Sequence, residues 1–444
     1  MKYKVGIVSL GCAKNRVDAE MLLAKLNKEN YEIVEDAALS DAAIINTCAF
    51  IEPAKKESIE EILELAELKK EGKIKCLIVT GCLAERYQEE VREQLPEVDA
   101  CIGIGANDKI AEVIKNALDG KKQELFPPKE KLALEGERIQ STPQYYAYLK
   151  IAEGCDNHCT YCAIPMIRGR YRSRTIENLI KEAQWLADGG VKELILIAQD
   201  TSYYGNDIYG KPMLPKLLKE LCKIDKLKWI RVLYCYPERI TDELIDVIAE
   251  EDKIVKYLDL PLQHCDAEVL KRMNRKGDRE YLTNLLNKIK ERIPDITLRS
   301  TFITGFPGET EEQFEELAQF VKDMKFQRMG CFPYSQEENT PAAKLPDQID
   351  GDVKQKRAEI ICDNQQLIME EYAEKMIGSE VEVLVEGFDR YAECYFGRTA
   401  GDCPEVDGNV FFTTSGEKPR EGTFVKVKIT DSLGIDPVGE VITN

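Results

Sequence analysis

Apolar positions along this chain follow three successive rhythms. In the first hundred residues, short apolar runs at 4–10, 42–47 and 76–80 alternate with longer stretches, 15–29 and 53–71, whose apolar residues recur at helical spacing. Short runs without polar alternation suit strands buried on both faces of a parallel sheet, and the intervening helices supply the crossovers. A further helical pattern covers 106–120. The charged stretch 121–144, with Pro127, Pro128 and Pro143, reads as a linker. From 145 to about 335 a strand-then-helix rhythm repeats six times. Its strands are predicted at 146–152, 193–198, 230–234, 255–260, 297–303 and 329–334. Its helices are predicted at 176–188, 214–223, 242–250, 267–273, 280–292 and 311–325. Six units predict a partial (β/α)6 barrel, with its site at the C-terminal mouth. Pro341, Pro346 and Gly351 mark the next boundary, before a charged helix over 352–376. Beyond 378 the runs shorten to 381–385, 392–396, 410–413, 424–429 and 439–442, separated by Gly and Asp turns. Five such strands predict a small antiparallel β-barrel of the OB type. The expected fold is α/β: an N-terminal parallel α/β domain at 1–120, a linker at 121–144, the barrel at 145–340, a linker helix at 341–376 and the β-barrel at 377–444.

Cysteine placement adds chemistry to this frame. Cys155, Cys159 and Cys162 stand at CxxxCxxC spacing just past a predicted strand. Three thiolates this close cannot all pair as disulfides, and metal ligation is the expected role. Structural zinc takes four ligands and an ordinary iron–sulfur cubane takes four cysteines. Here the local set is three, which leaves one iron of a cubane open for chemistry; a zinc knuckle with a distant fourth ligand is the alternative. A second trio is scattered. Cys12, Cys48 and Cys82 each follow the end of an N-terminal strand, and parallel strands end on one edge, where ligands bind. They are expected to converge as a second three-cysteine set; buried packing, expected for Cys76 and Cys101, is the alternative.

Composition narrows the function. Fifteen cysteines in a chain of 444 residues point to a reducing, cytoplasmic setting. The first residues run directly into a strand, and no stretch approaches a membrane span. The two histidines, His158 and His264, supply a histidine-based triad poorly. The net charge of −19 opposes generic nucleic-acid binding and suits a basic protein partner, or serves solubility alone. The tail from Met376 carries 13 acidic against 6 basic residues, a net of −7. Its aromatics, Tyr391, Tyr395, Phe396, Phe411 and Phe412, would suit single-stranded nucleic acid, but its charge would not.

The CxxxCxxC stretch resembles the signature of the radical S-adenosylmethionine enzymes. The whole order of domains resembles the methylthiotransferase family, with a TRAM-like tail. The opening Ser9-Leu10-Gly11-Cys12-Ala13-Lys14-Asn15 resembles its RimO-type branch, which modifies an aspartate of a small-subunit ribosomal protein, the twelfth. The resemblance implies two [4Fe-4S] clusters, one on Cys155, Cys159 and Cys162 and an auxiliary one on Cys12, Cys48 and Cys82. It implies that the first binds S-adenosylmethionine and, given an electron from a reducing donor, releases an adenosyl radical that takes hydrogen from the aspartate β-carbon. The second then passes a methylthio group to that carbon. Tyr161 is implied near the adenine, and Gln199, Thr304 and Gly305 among the cofactor's polar contacts, although 304–308 also reads as an ordinary turn before a helix. The substrate implied is the ribosomal protein or the whole small subunit. A MiaB-like enzyme acting on a tRNA adenosine and an iron–sulfur redox sensor with an RNA-binding tail are the competing readings.

Overall fold

The computed structural model describes residues 2–442. The first sheet has six parallel strands in the order β2-β1-β3-β4-β5-β6: β1 (Lys4–Ser9), β2 (Glu32–Ile33), β3 (Ala42–Thr47), β4 (Cys76–Gly81), β5 (Ala100–Ile102) and β6 (Gln123–Leu125). The three long strands coincide with the three apolar runs. The other three are two or three residues long, too short to show a periodicity. β6 lies in the stretch that reads as a linker, and pairs Gln123 with Ala100 at the sheet edge. The chain after it is strapped down: Leu132 is buried, and Arg138 and Ser141 bond Glu20 of the helix Ala13–Lys28.

A second sheet carries six parallel strands in chain order, β7-β10-β11-β12-β13-β14. β7 is Tyr146–Lys150; β8 (Ala152–Glu153) and β9 (Arg172–Ser173) pair antiparallel as a small clamp. The sheet continues through β10 (Glu193–Ile197), β11 (Trp229–Val232), β12 (Ile254–Gln263), β13 (Thr297–Thr304) and β14 (Arg328–Pro333). Helices pack its outer face around Leu194, Leu196, Leu258, Leu298 and Phe302. β12 outruns its predicted end by three residues and shifts register between Leu260 and Gln263. Pro261, which offers no N–H to the ladder, lies at that irregularity, and Gln263 takes a left-handed φ of 71°.

The helix Gly351–Met376 lies over β14 and leads to five strands closed as a barrel: β15 (Glu380–Asp389), β16 (Cys394–Arg398), β17 (Val410–Thr413), β18 (Phe424–Leu433) and β19 (Asp436–Val441). Four seams are antiparallel and β17–β19 is parallel. This barrel seals the N-terminal end of the second sheet. Glu193, the first residue of β10, is buried between Arg231 at 2.7 Å and Arg398 of the tail at 2.8 Å. Tyr257 donates to Asp407 at 2.7 Å and Tyr148 to Glu405 at 3.1 Å. The inner face of the sheet is filled from two sides, by Val17 of the first helix and by Leu384 and Cys403 of the tail. The C-terminal mouth is thereby left as the working end. Among the described residues no helix is long and apolar enough to cross a membrane.

Candidate functional site

Parallel register places the first thiol trio. Ser9 pairs with Asn46 and Asn46 with Thr80, so β1, β3 and β4 end level; Cys48 and Cys82 come directly after their strands and Cys12 three residues after its own. Glycines make room for them. At Gly11, whose φ is +84°, a β-carbon would lie 2.6 Å from Cys48 Sγ; at Gly81, φ +93°, it would lie 2.5 Å from the Thr47 carbonyl. Asn15 ties the loop, donating to the carbonyls of Leu10, Asn46 and Thr47. Ser58 clasps Cys48, accepting from its N–H and donating to its carbonyl. Cys48 and Cys82 are buried and Cys12 is exposed. Burial, then the neighbouring Cys82 and Cys12, pushes the Cys48 thiol up to about 12. The thiols act on one another electrostatically, as members of one set do.

The second trio sits on the loop that the β8–β9 clamp pinches off. Gly154, φ +74°, opens the loop where a β-carbon would lie 2.1 Å from the Arg170 carbonyl, so only glycine fits. Cys155 accepts from the Asn157 N–H at 3.4 Å, and Asn157 is held by Asp200 and Arg239 at 2.8 Å each. Cys159 touches the Tyr236 hydroxyl, and Arg275 lies 4.0 Å above the Tyr236 ring. Burial, before any other cause, pushes the Cys155 thiol up to about 12 and the Cys162 thiol higher still. Neutral buried thiols of this kind ionise on binding a metal. Among the described residues no three Cys, His, Asp or Glu close around a single ion; an all-thiol set is soft and suits iron–sulfur ligation.

A buried ionic network joins the two sets. Arg168 donates from Nη2 to Cys82 Sγ at 3.3 Å and to Asn15 at 2.9 Å, and from Nη1 to Asp18 and Glu153. Lys150, at the end of β7, pairs with the same two carboxylates. Burial alone would raise the Glu153 carboxyl; Lys150 and Arg168 outweigh it and hold it well below the usual range. Glu153 directly precedes the second thiol loop, and Cys82 belongs to the first set. Arg168, Asp18, Glu153 and Lys150 carry no local motif; only their convergence in three dimensions reveals them.

The remaining predicted residues divide. Gln199, just past β10, donates to Glu153 at 3.0 Å, and its Oε1 is buried without a partner, an acceptor that a ligand at the mouth would satisfy. Tyr161 is fixed by Arg275 at 3.4 Å and packs among Val269, Met273, Phe306 and Tyr334. Thr304 donates instead to the Lys354 carbonyl at 3.1 Å, on the face of β13 that Phe302 buries against Phe320 and Phe326. A β-carbon on Gly305, φ +68°, would lie 2.1 Å from Lys354 Cβ, and its N–H donates to Glu309 at 2.9 Å. Both residues serve the turn beneath the helix Gly351–Met376. His264 is fully buried, 3.6 Å from Glu309.

Comparison with known proteins agrees with this architecture. Residues 4–103 match uncharacterized protein family UPF0004, residues 149–321 the radical SAM superfamily, and residues 377–442 the TRAM domain. A solved structure of the radical S-adenosylmethionine methyltransferase TsrM from Kitasatospora setae superposes with a TM-score of 0.56 over 77% of each chain, at 16% identity, a likeness of fold. The ribosomal protein uS12 methylthiotransferase RimO of Lachnoclostridium phytofermentans is 50% identical over 98% of this chain and 99% of its own. Its counterpart from a Thermoanaerobacter species is 51% identical with the same coverage. Identity at this level along the whole length makes this chain a member of the ribosomal protein uS12 methylthiotransferase RimO family, within the radical SAM superfamily.

Proposed function

We propose that this protein attaches a methylthio group to ribosomal protein uS12, at the β-carbon of an aspartate, by radical chemistry. Cys155, Cys159 and Cys162 would hold one [4Fe-4S] cluster and Cys12, Cys48 and Cys82 a second, each with one iron free of protein. When bound, the first cluster with S-adenosylmethionine supplies one-electron chemistry and the second supplies the sulfur to be transferred. An external reducing donor is required. The chain's own part is geometric. The β8–β9 clamp and Gly154 set one thiol loop; the level ends of β1, β3 and β4 set the other. Gln199 offers an unmet acceptor and Tyr161 an apolar-backed ring at the mouth. The tail shuts the opposite end, which keeps water from entering behind the reacting carbon.

The observation that carries this reading is Arg168, one buried side chain that bonds Cys82 of one set and, through Glu153, the root of the other. One ionic junction behind both thiol sets supports their working on one substrate, as a two-part transfer demands. Anaerobic turnover with small ribosomal subunits, and separately with tRNA, followed by mass analysis, tests it: the methylthio group is expected on uS12. Replacing Cys159 by Ala should abolish 5′-deoxyadenosine formation. Cys48→Ala should leave formation of 5′-deoxyadenosine intact and stop methylthio transfer; full product from that variant would remove the second set from the mechanism.

A further inference from the structure

Lys14 lies two residues beyond Cys12, in the first turn of the helix Ala13–Lys28. The residue is 9% exposed, yet among the described residues its side chain forms no ion pair and no hydrogen bond; its Nζ rests 3.7 Å over the centroid of the Tyr234 ring. An ammonium carries three donors; no group among the described residues meets them here, and Nζ is not among the buried polar atoms without a partner, so its donors remain open to a ligand at the cavity. The acids nearby are already spent. Asp18 and Glu153 together carry two negative charges, and Lys150 and Arg168 neutralise both. Glu153 accepts in addition from Gln199 and from the Gly154 N–H. The positive charge of Lys14 is therefore surplus to the network.

Its seat is built. Tyr234 holds a left-handed φ of 60°, unusual for an aromatic residue, and is kept there by its N–H donating to Asp259 at 3.0 Å and its carbonyl accepting from the Thr201 N–H at 3.0 Å. A ring beneath an ammonium stabilises the charge through its face without using the N–H donors. Cys12 stands two residues before Lys14, and the next residue, Asn15, accepts from Arg168, which also bonds Cys82 of the first set and Glu153 at the root of the second, so Lys14 stands beside the junction of the two thiol sets.

We infer that Lys14 binds the side-chain carboxylate of the target aspartate. This rests on uS12 being the substrate. The reacting β-carbon is bonded to that carboxylate carbon, so an ammonium gripping the carboxylate would hold the carbon beside the junction of the two sets. It would also discriminate against an asparagine side chain, which presents the same shape without the charge.

The test uses the anaerobic holoenzyme with both clusters loaded, and labelled uS12 or a form whose target aspartate is replaced by asparagine. Binding is read by fluorescence anisotropy and product by mass analysis. The wild-type enzyme should prefer the aspartate form by about 10- to 100-fold in affinity, the range of a desolvated charge-assisted hydrogen bond. Lys14→Met should erase that preference while retaining the iron of both clusters and S-adenosylmethionine cleavage without uS12. Lys14→Arg, which keeps the charge, should recover part of it. An unchanged preference in Lys14→Met overturns the inference. So does loss of auxiliary iron in Lys14→Met alongside full recovery of iron, but not preference, in Lys14→Arg, since that assigns Lys14 to the cluster. If wild-type enzyme modifies tRNA and leaves uS12 untouched, the proposed function fails first, a result distinct from either.

Discussion

Arg168 divides its guanidinium between two duties: one nitrogen serves Asn15 and Cys82, the other Asp18 and Glu153. All four partners are buried, and the two carboxylates would be left with Lys150 as their one cation among the described residues if it were lost. Arg168→Met is expected to cost about 3–5 kcal/mol, the range for removing one partner of a buried ionic group. Chemical denaturation should show it as a lower midpoint at unchanged slope. A lysine should not repair it, because a point charge cannot reproduce a planar fork that reaches four acceptors. The cysteines were legible as residues because thiols at such spacing have few other uses. Arg168 was not, because its neighbours come from three separate stretches of chain. Thr304 and Gly305 have a local role that the sequence does not show: Thr304 donates to the Lys354 carbonyl, and the missing side chain of Gly305 lets Lys354 approach.

Secondary-structure elements set the cavity by their ends. β8 and β9 are two residues each, yet their antiparallel pairing closes the loop that bears Cys155, Cys159 and Cys162. Gly154→Ala would force a β-carbon to 2.1 Å from the Arg170 carbonyl and strain a φ of +74°. The clamp should open, with loss of iron from that loop and of 5′-deoxyadenosine formation, while iron on Cys12, Cys48 and Cys82 is retained. Iron and sulfide analysis paired with Mössbauer spectra of the two sets would check this. The long strands and most helices were readable in advance, since period-2, period-3.6 and continuous apolar patterns persist over five or more residues. β2, β5, β6, β8 and β9 were not, because two or three residues carry no period and are paired only by what lies beside them.

At the scale of the whole molecule, the tail holds the sheet through buried charge. Burial alone would raise the Glu193 carboxyl, but Arg398 and Arg231 outweigh it and keep it below the usual range. Asp402 is held low in the same way, with Arg328 opposing its burial. A carboxyl with a depressed folded pKa contributes fully above its unfolded value, about 4.3 for Glu, and that contribution drains as pH falls through the folded value. Glu193→Gln should therefore destabilise the protein at neutral pH and flatten the acid limb of its stability below about pH 4. Scanning calorimetry across pH would show both; an acid limb as steep as wild type would count against the tail's ionic docking. The acidic count of the tail hinted at a protein partner, but not that several of its acids are engaged within the chain: Asp402 with Arg328, Glu405 with Arg16 and Tyr148, and Asp407 with Tyr257.

The chain's spelling alone determined the three-part α/β architecture, because local periodicity and turn residues are properties of short stretches. It also determined the candidate metal ligands, because few side chains other than thiols do that work. Tertiary structure decided the rest: that two distant thiol sets meet across one ionic network, that Lys14 keeps an unspent charge beside it, and that the tail spends its charge on the barrel. Each of these depends on which groups lose water together, and burial is a relation between segments that no single segment contains.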